Sequence, residues 1–279
     1  MQMRTDLALE TVAGAVTQRR CRENVEICSL TLDEDGARQS GKAPGRYITA
    51  TLPPLTDNEH DLERKAYVIG KELRALLPKT GCILVVGLGN RAITPDALGP
   101  QTASLVLATR HIQGELARSI GLDDLRQTVV VKTDVLGNTG MESSEIVAGV
   151  CRMIKPVAVV AVDALAARSL DRLGCTVQLS DTGIAPGSGV GNNRQALNQE
   201  TLGVPVIGLG VPTVVDAGTL AKALTGGDEQ AVSPRGALMM VTPREIDLMI
   251  TRASKLLAMT IHAALQPSYS PLELLSLTL

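Results

Sequence analysis

Apolar and polar positions follow two rhythms along the 279 residues. Short runs that are apolar at nearly every position alternate with longer stretches where apolar residues return every third or fourth place. The first rhythm predicts strands buried on both faces, the second helices with one buried stripe. Val25 to Leu32 and Arg46 to Leu52 predict a strand pair, joined by a loop containing Gly36, Gly41 and Gly45. Asp57 to Leu77 predicts a helix, with Leu62, Ala66, Val68, Ile69, Leu73 and Leu76 at helical spacing and Pro78 as its stop. Cys82 to Leu88 predicts an all-apolar strand. Thr94 then reads as an N-cap and Pro95 as the first residue of a helix reaching about Arg110.

The pattern continues to the C-terminus. Thr128 to Val135 predicts a strand, and Thr139-Gly140-Met141-Glu142 a capping box opening a helix to about Ile154. Pro156 to Val162 is the most apolar strand. Cys175 to Leu179 and Pro205 to Leu209 add two more, separated by a Gly- and Asn-rich stretch. Thr242-Pro243-Arg244-Glu245 repeats the capping device and predicts a long last helix to about Leu265. Such alternation predicts an α/β fold: a three-layer α/β/α sandwich with a mainly parallel sheet. There is no internal repeat, and the only linker-like segment, Gly226 to Gly236, is short. One domain is expected.

Composition narrows the picture. With no Phe, no Trp and three Tyr, the 44% of hydrophobic residues must build the core from Val, Leu, Ile, Ala and Met. A net charge of −2 with 27 dispersed basic residues leaves no footprint for nucleic acid or an anionic membrane. Cys21, Cys28, Cys82, Cys151 and Cys175 form no C-x-x-C pair and are expected to be free thiols in a reducing compartment. Residues 1–6 lack an apolar signal region, and the run from Val157 to Ala167, broken by Asp163, is too short to span a bilayer. A cytoplasmic protein is expected. His60, His111 and His262 show no metal spacing and are expected to be solvated helix residues.

Candidate chemistry belongs at the carboxyl ends of the strands, where open α/β sheets bind ligands. Asp163 follows Val157 to Val162, and a carboxylate leaving so dry a strand has its charged form disfavoured. The plainer reading is a cap on the next helix. Asp96 lies on the first turn of a predicted helix, where the helix dipole alone favours an acid. If the two strands are neighbours, both carboxylates reach one crevice. There they titrate as a pair, one ionised to activate water and one protonated to serve as acid.

The loop Asp181 to Asn193, with Gly187, Ser188 and Gly189 at its centre, is too long for a turn alone. It is read either as a surface loop or as backbone N–H groups turned toward an oxyanion or an extended peptide. Asn90 is a further candidate for that role, and Gly137 to Gly140 after Asp134 is a weaker one. Gly87-Leu88-Gly89-Asn90-Arg91-Ala92 formally fits a dinucleotide fingerprint. Pro95 disrupts the helix that fingerprint needs, and no acidic residue ends a second strand at the right distance, so no cofactor is expected.

Several stretches in order, Arg4 to Ala8, Val85 to Asn90, Thr94 to Pro100, Gly137 to Ser144, Val162 to Ser169, Asp181 to Asn192, Gly210 to Ala217 and Val241 to Pro243, resemble the germination protease of spore-forming bacteria. The resemblance implies a phosphorylase/hydrolase-like fold similar to hydrogenase maturation proteases and an endopeptidase that starts the degradation of small acid-soluble spore proteins. It implies Asp96 and Asp163 as the catalytic pair and a homotetramer in the cytoplasm of the forespore and spore core. It also implies a zymogen that removes its own leader. Thr5-Asp6-Leu7-Ala8-Leu9-Glu10 is similar to the family's cleavage motif, so self-cleavage is expected between Asp6 and Leu7. Residues 1–6 would then be a propeptide and 7–279 a single protease domain. The leader and the segment between Ala217 and Val241 are both shorter than is usual in the family.

Other readings stay open at this stage. Gly87 to Asn90 and Thr109-Arg110-His111 are similar to peptidyl-tRNA hydrolase, although only over residues 87–111 and without a basic surface. A non-enzymatic spore protein on the same scaffold is a second. The related maturation proteases grip a metal with an acidic pair at this place. Here no His stands nearby, which favours aspartates and water with no metal.

Overall fold

The computed structural model describes residues 5–11, 18–57, 61–112, 114–119, 121, 124–191, 194–226, 236 and 239–278. In chain order the elements are β1 (Gln18–Arg22), β2 (Val25–Leu32), α1 (Glu34–Ser40), β3 (Gly45–Thr51), α2 (Leu62–Leu76), β4 (Ile83–Leu88), α3 (Leu98–Ser104), α4 (Gly114–Ser119), β5 (Thr128–Asp134) and α5 (Leu136–Thr139). The second half continues with α6 (Ser143–Ile154), β6 (Ala158–Ala167), β7 (Thr176–Ser180), α7 (Gln199–Leu202), β8 (Val206–Asp216), α8 (Ala217–Thr225), β9 (Met240–Val241), α9 (Ile246–Leu265) and α10 (Pro271–Ser276). Short 3₁₀ turns lie between some of them.

All strands join one sheet in the order β1-β2-β3-β7-β8-β6-β4-β5, with β9 added to the end of β8. The block β5-β4-β6-β8 is parallel. β1, β2, β3 and β7 extend it antiparallel. Helices cover both faces, which gives the α/β/α layering the alternation predicts. Strands buried on both sides must be apolar throughout, and every residue of β4 is buried. On one face α2, α3 and α9 pack the larger core from Val, Leu, Ile, Ala and Met. On the other, α6 and α7 cover a smaller one around Leu84, Val86, Val159 and Ala161.

That second face changes character across the sheet. Successive strand residues point to opposite faces. On β6, Ala158, Val160 and Val162 join the larger core, so Val159 and Ala161, then Asp163 and Leu165, belong to the other side. On β8 the equivalent positions are Gly208 and Gly210, on β7 Gln178 and Ser180, on β3 Tyr47 and Thr49. The strip beyond α6 and α7 is therefore bare over β8 and polar over β7 and β3.

Several boundaries differ from the sequence expectation. β6 continues to Ala167 because β8 runs beside it as far as Val215, so Asp163 lies within the strand rather than at its end. The helix expected from Pro95 to about Arg110 is a 3₁₀ turn, Thr94–Asp96, followed by α3, which stops at Ser104. The chain then leaves the helix to bond elsewhere: Leu107 N–H reaches His262, and Thr109 N–H reaches Thr128 O on β5. His111 is exposed in a turn, not in a helix. The capping box before α6 uses Glu142 and Glu145, while Thr139 ends α5. α9 begins at Ile246 with no side-chain cap, so Thr242 to Glu245 is not its capping box. Strands β1 and β9 were not expected. His60, Asn192, Asn193 and most of the expected linker Gly226 to Gly236 lie outside the described residues.

Cys28 and Cys151 are buried, Cys21 is exposed, and all five cysteines are free. Among the described residues no helix is long and apolar enough to cross a membrane.

His262 departs most from its expectation. It is 2% exposed within α9. Its Nε2 accepts the Leu107 N–H at 3.0 Å, so the neutral ring carries its proton on Nδ1, 3.4 Å from Pro271 O. Burial lowers its pKa from 6.5 to about 4. Between those values the unfolded chain binds a proton that the folded chain refuses, so stability falls as pH drops from 6.5 toward 4, by about 3 kcal/mol. His262→Gln should flatten the dependence of the urea midpoint on pH across this window. An unchanged slope would assign the loss to other groups.

Candidate functional site

β4 pairs with β6 only as far as Gly87 opposite Val162. The next residue of β6 is Asp163, only 5% exposed, whose Oδ1 accepts its neighbour Ala164 N–H at 2.9 Å. Burial holds its carboxyl well above the ordinary 3.8, and the nearby charges of Asp96 and Asp6 push it further the same way.

Asp96 arrives from the other strand. After β4 the chain turns through Gly89 at φ +105°, where a β-carbon would run into Asp96. The turn allows Asn90 N–H to donate to Asp96 Oδ2 at 2.7 Å. Thr213 Oγ1 on β8 holds the Thr94–Asp96 turn through Pro95 O at 2.8 Å. Gly99 seats α3 so closely that a β-carbon would strike Leu88 O and Val162 O. These contacts hold Asp96 beside the strand that carries Asp163. Burial raises the Asp96 pKa, the Asn90 N–H opposes that shift, and the Asp134 charge adds to it. Two carboxyls with unequal proton affinity can hold one proton between them, leaving one base and one acid.

The chain's own N-terminal segment lies along the bare strip. Asp6 N–H donates to Ala166 O at 2.9 Å, as an added strand would. The Asp6 carboxylate accepts from Ala166 N–H at 2.8 Å and from Ser188 Oγ at 2.6 Å. Gly189 lies against the same carboxylate and Ala166, too close for a β-carbon. Lys42 Nζ donates to Thr5 O at 2.7 Å. Burial lowers the Lys42 pKa, while Asp6 and Glu10 resist that fall. Leu7 is fully buried among Leu165, Ala167 and Val215, with Leu173 and Ile184 packed alongside. Gln178 brackets Leu7: its Nε2 donates to Asp6 O and its Oε1 accepts Ala8 N–H, both at 2.8 Å. A cavity of about 640 Å³ continues past the segment along Lys42, Tyr47, Ser180, Gly208 and Gly210.

Asp96, Asp163, Asp6, Leu7, Ser188 and Gly189 thus fall in one region. The glycine loop contributes differently from its expectation. Ser188 presents its hydroxyl, while its backbone N–H binds Ala185 O, and Gly187 supplies a left-handed turn at φ +73°. Asn90 supports Asp96 through its N–H and caps Ala92 N–H with its Oδ1 at 2.9 Å. Gln178 and Lys42 went unnoticed. A polar residue between the apolar Val177 and Leu179 was a visible signal for Gln178, whereas Lys42, in a Ser-, Gly- and Pro-containing loop, gave none.

A family model described as germination protease matches residues 2–225. The chain is 39% identical over 314 residues to a germination protease of Caldanaerobacter subterraneus subsp. tengcongensis, with 98% of this chain and 97% of the relative covered. Against that of Clostridium perfringens it is 36% identical over 312 residues, covering 95% and 96%. Against that of Bacillus cytotoxicus it is 42% identical over 234 residues, covering 77% of this chain and 64% of the relative. A solved nickel–iron hydrogenase maturation protease from Thermococcus kodakarensis matches with 18% identity and a TM-score of 0.38, covering 68% of this chain and 98% of that one.

The Asp163 environment has a measurable signature independent of any activity. The folded chain keeps a proton that the unfolded chain releases, so stability falls as pH rises from 3.8 toward the raised folded value. Asp163→Asn should therefore raise the urea midpoint at pH 8 and change it little near pH 4. An equal gain at both values would show that Asp163 does not titrate as described.

Proposed function

This chain belongs to the germination protease family, a protease of spore germination, and from that premise we propose that it is the endopeptidase that begins the breakdown of small acid-soluble spore proteins. It cuts between an acidic and an apolar residue with Asp96, Asp163 and a water. The observation that carries this reading is the docked Asp6–Leu7 pair: a carboxylate held by Ser188 and Ala166, and an apolar side chain buried beside it. A substrate with an acid followed by an apolar residue would satisfy the same groups.

The roles follow from proton affinity. Asp163, the more deeply buried, keeps the proton and is the acid, while Asp96 is the base. Asp96 takes a proton from water as the oxygen adds to the carbonyl carbon. Asp163 gives its proton to the departing nitrogen. Asn90 N–H keeps Asp96 aimed.

The same geometry supports a self-processing zymogen. Residues Thr5 to Ala8 fill the groove, so the uncut chain blocks itself, and cleavage between Asp6 and Leu7 would release residues 1–6 as a propeptide. A homotetramer in the cytoplasm of the forespore and spore core rests on family membership alone.

Cleavage of a purified small acid-soluble spore protein by wild type, Asp96→Asn and Asp163→Asn tests the reading. Wild type should cut before an apolar residue, and each variant should lose about 100-fold or more while remaining folded. Full activity in one variant defeats the paired mechanism. No cleavage by the leaderless wild type favours a non-enzymatic role. The mature N-terminus should be Leu7; a chain still beginning at Met1 or Gln2 refutes self-cleavage there.

A metal would have to sit on Asp96 and Asp163 with oxygen donors only, since the described residues hold no group of three His, Cys, Asp or Glu fit to bind one. Chelators should leave the activity intact. Loss restored by a single divalent ion would replace the metal-free mechanism.

A further inference from the structure

Gln178 occupies an unusual place for a carboxamide. It is 7% exposed, on a strand whose neighbours Val177 and Leu179 are fully buried in the larger core. It pairs in register with Gly210, which on its other side pairs with Asp163. Residues in register point to the same face, so Asp163 and Gln178 flank a position with no side chain, about 10 Å apart between Cα atoms at two strand spacings. A β-carbon at Gly210 would come within 2.5 Å of Asp163 O and 2.7 Å of Leu165 Cγ. Leu165 leans over that position, and Leu165, Gly210 and Gln178 together line the cavity in which the Asp6 backbone lies.

The peptide in that cavity is oriented by Gln178. One end of the carboxamide donates to the Asp6 carbonyl oxygen and the other accepts from Ala8 N–H. Reversing the amide would set like against like at both contacts, so the N–H end faces the Asp6 carbonyl. That oxygen belongs to the Asp6–Leu7 peptide bond.

We propose that Gln178 is a catalytic residue whose Nε2–H stabilises the oxyanion formed on the carbonyl under attack. The inference rests on the proposed cleavage between an acidic and an apolar residue. When water adds to the carbonyl carbon, the C=O π pair moves onto the oxygen. Gln178 Nε2 already lies 2.8 Å from that oxygen, within the range that stabilises a tetrahedral intermediate. Collapse returns the pair, breaks the C–N bond, and the nitrogen leaves with the Asp163 proton. The Oε1 contact to Ala8 N–H serves binding, because that group does not change charge.

Gln178→Met keeps the length and removes both hydrogen bonds. Two rates are measured: self-cleavage of the full chain, followed by the appearance of a Leu7 N-terminus, and cleavage of a synthetic peptide carrying Thr-Asp-Leu-Ala-Leu-Glu by protein beginning at Leu7. We expect kcat and the self-cleavage rate to fall about 100-fold or more, with KM rising only a few-fold. A peptide ending in an aspartic aldehyde, whose hydrate places an oxygen where the intermediate would, should lose affinity for the variant, while the matching alcohol should not. Should Gln178→Met not fold by its urea transition, Gln178→Glu keeps the acceptor for Ala8 N–H and removes the donor, with the same kcat loss expected. A folded variant with kcat within threefold of wild type, or a rise in KM alone, overturns the role while leaving the protease reading intact. Absence of peptide cleavage by wild type removes the protease reading and this inference with it.

Discussion

The parallel ladder between β6 and β8 runs five residues beyond the last pairing of β4, from Asp163 to Ala167. Everything at the site depends on that overhang. It places Asp163 inside a strand, where it stays dry, and leaves Ala166 free to pair with an incoming chain. It also carries Leu165 and Ala167 past the helical cover, where they form the pocket for Leu7. Had β6 stopped at Val162, Asp163 would stand at a loop in water and the groove would have no edge to bind a peptide.

Two small features turn the overhang into a channel. Gly208 and Gly210 remove side chains from the middle of the strip, and Gly99 draws α3 down until its preceding turn reaches the strand ends. Burying Leu7 contributes about 2 kcal/mol, and the surrounding hydrogen bonds fix direction more than they add affinity. Asp6, Asp96 and Asp163 bring three carboxyls into one region. Burial, with the charges of Asp96 and Asp6 added, favours keeping the proton on Asp163, which is the condition under which an acid and a base coexist.

Much of this was legible in the order of the residues. The run Val157 to Val162 announced a strand buried on both faces, and Asp163 after it announced a dry carboxyl. The strand's length was not legible, because Ala164 to Ala167 contains no β-branched residue and only pairing with β8 makes it a strand. Pro95 suggested one helix to about Arg110 where a 3₁₀ turn and the short α3 stand, since Leu105 to Thr109 is recruited by His262 and β5. His262 itself looked like a surface residue, because its partners come from segments 155 and 9 residues away. Asn90 and Ser188 were visible as polar residues near glycines, but whether each acts by backbone or side chain depends on the turn it occupies.

The carboxamide of Gln178 imitates the peptide group of a neighbouring strand, and Ala166 supplies the real one opposite. Both ask for N–H and C=O groups left unengaged on either side of the apolar residue, which is extended at Leu7 before the chain winds into a 3₁₀ turn at Ala8–Glu10. A target step inside a helix, or already paired in a sheet, has none to offer. Such a groove therefore discriminates by the conformational freedom of its target as well as by its side chains. Under the proposed cleavage, a protein would survive for as long as its acidic–apolar steps stay folded or bound, and would be lost once they loosen.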